Sequence, residues 1–182
     1  QIDSTGHHSS SDDERAAMDR YFGAGEPART VDETAEYYRE RNMMAVVFTV
    51  DATTNTGHRP NSVDEIAAGA ARHSDTLIAF GTVDPLQGPA AVAEARRQAT
   101  ELGVRGFKFH PTVQGFDPSA EEFDPLFAAI EELGLPIVVH TGQTGVGAGM
   151  PGGLGYRLRL SQPMLLDDVA ARHPHLEVIL AH

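Results

Sequence analysis

Five side chains have the type and placement that chemistry asks for. Lys108 and His110 stand two apart in "VRGFKFHP", His140 ends "PIVVH", His182 ends "LEVILAH", and Arg157 follows a loop with seven glycines between Gly142 and Gly155. Neutral imidazole is a common ligand for divalent ions and the side chain best matched to proton transfer near pH 7. A lysine inside a fold needs a partner or a task, because burying an unpaired ammonium is costly. An arginine grips carboxylate or phosphate through two parallel hydrogen bonds. Each residue also has a plainer reading. Strand-end histidines are often structural, Lys108 could pair with Asp84 on a neighbouring strand, and arginines on a glycine loop are often merely solvated. Two strand-end histidines beside a Lys-x-His strand favour a site.

The elements that would position these residues alternate regularly. Apolar runs at 43–51, 77–85, 104–110, 136–142 and 176–182 read as five strands. Between them run helical segments. Three carry the Ser/Thr-x-x-Glu box that caps a helix start: Thr30 with Glu33, Ser62 with Glu65, and Ser119 with Glu122. Gly103 and Gly134 close two of the helices. Strands this uniformly apolar suit a parallel sheet covered on both faces. The pattern predicts α/β architecture, either a (β/α)8 barrel or an open doubly wound sheet. Both place active sites at the C-terminal ends of strands, where Asp51, Asp84, Lys108, His110, His140 and His182 stand. No G-x-G-x-x-G follows the first of these strands, which weakens a dinucleotide site, and the glycine loop has no P-loop pattern. Alternation puts Lys108 and His110 on one side of their strand and Phe107 and Phe109 on the other. In a barrel, Lys108 and His110 then point inward.

Residues 1–29 are polar and rich in Gly, Ser and Asp, and read as an irregular region that follows a missing first strand; a short helix over "DDERAAMDRYF" is the exception. His7 and His8 fall in this region. Residues 30–182 form the barrel-type domain. A chain that starts at Gln1 and stops on a strand reads as a piece of a larger protein.

Bulk composition narrows the function classes. The 182 residues are 41% hydrophobic with a net charge of −12 and no cysteine. That field repels phosphate backbones, so nucleic acid is not an expected partner. The absence of cysteine excludes disulfides and thiolate metal sites and fits a cytoplasmic protein. No apolar run approaches the roughly 20 residues of a membrane span.

The motifs "GFKFHP", "PIVVHTG" and "VILAH", in this order and spacing, resemble strands four, five and six of the amidohydrolase superfamily. The resemblance covers about residues 30–182. It is nearest to the branch of aminocarboxymuconate-semialdehyde decarboxylase and related aromatic-acid decarboxylases. The loop "GQTGVGAGMPGG" and the segment "SQPMLLDDVAARHP" resemble a bacterial subgroup of β-ketoacyl-CoA hydrolases. The resemblance implies a distorted (β/α)8 barrel of the metal-dependent hydrolase type, present here as about five βα units. It implies one divalent metal, usually zinc, with His140 as a ligand and His182 as the catalytic acid/base. Lys108, His110 and Arg157 would face a carboxylate or acyl-CoA-like substrate. A lysine near position 108 is carbamylated in binuclear relatives, but the one-metal branch argues against that here. The whole enzyme would be a homo-oligomer, a dimer.

Two departures accompany the resemblance. The strand-one His-x-His has no counterpart, and the position of the strand-eight aspartate lies beyond His182. This chain alone is therefore expected to bind metal weakly and not to turn over. The activity expected of the whole enzyme is cleavage of a C–C bond next to a carbonyl. The rivals are an amide, lactone or phosphoester hydrolase on the same scaffold, and a non-catalytic α/β binding domain.

Overall fold

The computed structural model describes residues 4–6 and 29–181. His7, His8, the "DDERAAMDRYF" segment and His182 lie outside the described residues.

Among the described residues six strands form with seven α-helices between them: β1 (Ser4–Gly6), α1 (Val31–Arg39), β2 (Ala45–Phe48), α2 (Thr53–Thr56), α3 (Val63–Arg72), β3 (Leu77–Ala79), α4 (Pro89–Thr100), β4 (Phe107–Phe109), α5 (Pro111–Gln114), α6 (Asp124–Glu132), β5 (Ile137–His140), α7 (Leu165–Arg172) and β6 (Val178–Ala181). β1, β2 and β3 pair in parallel, as do β4, β5 and β6. A bridge between Gly81 and Phe107 joins the two sheets. Around it, Arg105 N–H donates to Ala79 O (2.9 Å), Gly81 N–H to Gly106 O (2.8 Å) and Lys108 N–H to Gly81 O (2.8 Å). The strands thus follow one another in chain order along one parallel wall. A doubly wound sheet would reverse direction at a switch point. Sequential order without reversal is the barrel pattern.

Two glycines make the β3–β4 junction possible. A Cβ at Gly81 would strike Gln98 Oε1 and the Phe107 ring; one at Gly106 would strike the Phe80 ring and lie 2.8 Å from Pro136 O. The two faces of the wall then separate as alternation requires. Outward, Phe107, Phe109, Ile137 and Val139 pack against Phe127, Ile130, Leu166 and Val169 of the helices. Burying each such aromatic contributes about 1.5–3 kcal/mol. Inward, Val46, Phe48, Phe80 and Val138 form a second, smaller cluster.

Three expectations need correction. Residues 1–29 are not wholly irregular, because Ser4–Gly6 pairs with Val46–Phe48 and fills the first strand position. Counted from there, the Lys-x-His strand is the fourth. The Ser119–Glu122 box does not form: Ser119 N and Oγ both donate to Asp117 Oδ1, and α6 starts instead at Asp124–Pro125. Asp84 is not the partner of Lys108; its carboxylate accepts from Thr54 N–H (2.7 Å) and Leu86 N–H (3.0 Å). The complete box is at Thr30, whose Oγ1 caps Glu33 N–H while the Glu33 carboxylate receives Thr30 N–H. No helix among the described residues is long and apolar enough to cross a membrane.

Candidate active site

The C-terminal ends of β2 to β5 converge on a small group of polar side chains that the packing has buried. Lys108, at the middle of β4, is 4% exposed. Its Nζ lies 5.2 Å from the centre of the Phe48 ring on β2, inside the wall. That contact is a cation–π attraction in a dry setting. Among the described residues no carboxylate is within ion-pair distance of it. Burial pushes the Lys108 ammonium down to about 8, so near neutral pH it is a cation whose proton is easily shared.

His110 follows β4 and is buried, as is His140 at the end of β5. Their rings stack, with centres 3.9 Å apart and planes 10° from parallel. His110 Nε2 is 3.3 Å from Thr144 Oγ1. His140 Nε2 is 2.8 Å from Gln143 O, which requires the ring to carry its proton there. The alternation that turned Lys108 inward in the sequence therefore holds, and Lys108, His110 and His140 share one end of the wall. The acids at the neighbouring strand ends do different work. Asp51 Oδ1 accepts from Thr53 N–H and Thr53 Oγ1, and Asp84 accepts from Thr54 N–H and Leu86 N–H through its two oxygens.

The glycine loop closes one side of this mouth. Thr112, on α5 two residues past His110, bonds to Ser161 Oγ (2.7 Å) and Arg157 O (3.2 Å), and Gly142 N–H donates to Ser161 O (2.7 Å). Between α2, α5 and the loop lies a polar cleft of about 520 Å³ whose walls include Asn55, Thr112, Tyr156 and Arg157. Arg157 is exposed and makes no ion pair among the described residues, whereas Arg39, Arg72, Arg96, Arg97 and Arg172 all do.

Residues missed in the sequence hold this end together. Gln98, Thr82 and Gln114 are buried, and their side chains tie the backbone at the ends of β2, β3 and β4. Their partners are distant in the chain, so no local pattern marks them.

The described residues do not make a metal centre by themselves. No three His, Cys, Asp or Glu among them are grouped to hold an ion. The two stacked imidazoles present parallel faces rather than converging nitrogens. Catalytic zinc usually needs three protein ligands. Among the described residues, His140 is the ligand-type side chain at the position that the resemblance assigns.

Comparison with known proteins bears on both the family and the fold. Residues 2–182 match the family model described as amidohydrolase. Among solved structures, the chain is similar to 5-carboxyvanillate decarboxylase from Novosphingobium aromaticivorans complexed with manganese and 4-hydroxy-3-methoxy-5-nitrobenzoic acid (20% identity, 85% of this chain and 50% of that one, TM-score 0.63). It is similar to 2,6-dihydroxybenzoate decarboxylase from Rhizobium (16% identity, 99% and 65%, TM-score 0.65). It also resembles a TIM-barrel protein from Bordetella bronchiseptica (19% identity, 97% and 64%, TM-score 0.66). The chain therefore spans about half to two thirds of the length of these structures.

Proposed function

Because the chain belongs to the amidohydrolase family, we propose that it serves an enzyme that removes CO2 from an aromatic acid. The observation that carries this reading is Lys108: a buried cation without a carboxylate partner among the described residues, beside two imidazoles at the active end of a barrel wall. Such a site is built for an anion. Two similar structures are those of decarboxylases of hydroxylated aromatic acids.

In the proposed reaction the bond between ring carbon and carboxyl carbon breaks. CO2 leaves, the electron pair stays on the ring, and the ring carbon takes up a proton. Lys108 holds the developing anion in a low-dielectric setting, where a fixed charge counts for most. His110 orients the ring. His182, which follows β6 in the sequence, delivers the proton. Arg157 receives a carboxylate at the rim. We assign His140 to a divalent ion, zinc or manganese, with its other donors outside the described residues. Such an ion, when bound, supplies positive charge to substrate oxygens.

The 520 Å³ cleft beside Arg157 favours a second reading, since it exceeds what a single-ring acid fills. In that reading the substrate is a larger acyl thioester cleaved hydrolytically next to its β-carbonyl.

The test is an assay of the full-length protein on 2,6-dihydroxybenzoate, 5-carboxyvanillate and a β-ketoacyl thioester, following CO2 from the acids and, from the thioester, the carboxylic acid and shortened thioester formed when water splits the C–C bond beside the β-carbonyl. CO2 release from an aromatic acid that falls about 100-fold or more in His182→Ala supports the proposal. Cleavage of the thioester to those two products, with no CO2 from either acid, selects the second reading. Neither reaction, in a folded protein supplied with zinc or manganese, rejects both.

A further inference from the structure

We propose that Gln114 is the positioning residue of the site. It sets where His110 stands relative to His140 by tying the ends of three strands to one amide.

Gln114 is the last residue of α5 and is fully buried. Every hydrogen-bonding group of its side chain has a direct use. Oε1 accepts from His110 N–H at 2.8 Å. Nε2 donates to Asp51 O at 2.7 Å, past the end of β2, and to Val83 O at 2.9 Å, past the end of β3. Its backbone N–H donates to His110 O at 2.8 Å, so Gln114 grips His110 by both backbone groups. These contacts lie beyond the residues paired in β2, β3 and β4. The amide continues the sheet's cross-strand bonding where the ladder has ended.

Gln98 provides an internal control. It is equally buried, and its side chain bonds Thr82 N–H (3.1 Å) and Thr82 O (2.8 Å), but not His110. If buried amides here served only stability, the two would be equivalent. The geometry instead gives Gln114 a direct hold on a ring at the site. Glutamine suits the place because it has one acceptor and two donors on a planar head. Glutamate would offer no donor to Asp51 O and Val83 O, and methionine would fill the volume without polar atoms.

The inference concerns the chain's own geometry and holds whichever substrate the site takes. The experiment is NMR at one fixed pH on the full-length protein without added metal. In the wild type the Gln114 side-chain amide protons should be protected from exchange, and the His110 and His140 rings should show a mutual NOE with upfield ring-current shifts. Gln114→Met should lose that NOE and those shifts while the chain keeps its helical circular dichroism. Gln98→Met should keep both. Ring signals unchanged in Gln114→Met, or lost equally in Gln98→Met, overturn the proposal. Should Gln114→Met fail to fold, the wild-type amide protons decide: fast exchange rejects the tie, and protection together with the ring NOE sustains it.

Discussion

The two sides of the site are built on opposite plans. At the ends of β2, β3 and β4, buried side chains replace the finished ladder: Thr82 Oγ1 links Asp51 N–H to Lys108 O, Gln98 holds Thr82, and Gln114 holds Asp51, Val83 and His110. Past β5, the chain mostly bonds to itself over three residues, with Ala148 N–H to Gly145 O, Met150 N–H to Gly147 O and Gly153 N–H to Met150 O. Only a few ties, such as Thr112 to Ser161, connect it to the wall. A buried cation demands the first plan, because its surroundings must not admit disorder that leaves charge or amide unsatisfied. A rim that meets substrates of some size tolerates the second.

The largest expected effect tests the stitched side. Lys108 titrates at about 8 when folded and at 10.5 when unfolded. Below pH 8 both states hold the proton, and folding carries the full cost of burying the charge. Between 8 and 10.5 the folded state releases its proton first, so the cost fades as pH rises. Lys108→Met removes it altogether and should be more stable than wild type by about 3 kcal/mol at pH 7, with the gap shrinking towards pH 10.5. Urea unfolding at several pH values measures this. A gap that does not change with pH would mean that Lys108 is not the poised cation assigned here. CO2 release should fall in the same variant, which would separate a residue kept for function from one kept for stability.

The legibility of the molecule follows the same division. Strands buried on both faces show as apolar runs, so β2 to β5 are readable, and alternation turns Lys108 inward and Phe107 and Phe109 outward; β6 also reads as an apolar run, although Ile179 and Leu180 are exposed. β1 was not readable, because "STG" pairs through its backbone and carries no apolar signal. Gln98 falls in a segment that reads as an ordinary helix, and Gln114 in one that shows no pattern at all. Their partners lie up to 63 positions away, and only the closed wall brings them together. The false box at Ser119 shows the converse: a correct local pattern lost to Asp117, which offers its carboxylate two residues earlier. Of the expected site, Lys108, His110 and His140 come together, Arg157 lies at the adjoining rim, and His182 falls outside the described residues.

One substitution made on both sides sharpens the contrast at intermediate size. Gly81→Ala drives a Cβ into Gln98 Oε1 and the Phe107 ring at the β3–β4 junction, and should cost about 2–3 kcal/mol of stability. Gly152→Ala meets no atom within 4 Å, and its cost comes only from a backbone at φ +61, which amounts to about 1 kcal/mol. Chemical denaturation of the two variants ranks them. Equal losses would mean that the loop side is packed as tightly as the strand ends.

The smallest stability effect is expected where function should feel it most. Arg157 is exposed, has no ion pair among the described residues, and lends the wall only its carbonyl, to Thr112. Arg157→Ala keeps that carbonyl and should shift stability by no more than about 0.5 kcal/mol. Its guanidinium is nonetheless the cation at the rim of the cleft that a second carboxylate would meet first. Calorimetric binding of 2,6-dihydroxybenzoate and of a dicarboxylate such as 5-carboxyvanillate, each to wild type and to Arg157→Ala, separates the possibilities. Loss of one charge-assisted contact should weaken the dicarboxylate about tenfold and leave the monocarboxylate nearly unchanged. An equal loss for both would place Arg157 at the carboxyl group that leaves. No loss for either would make the loop a spectator, and the stitched strand ends would then carry the site's anion recognition alone.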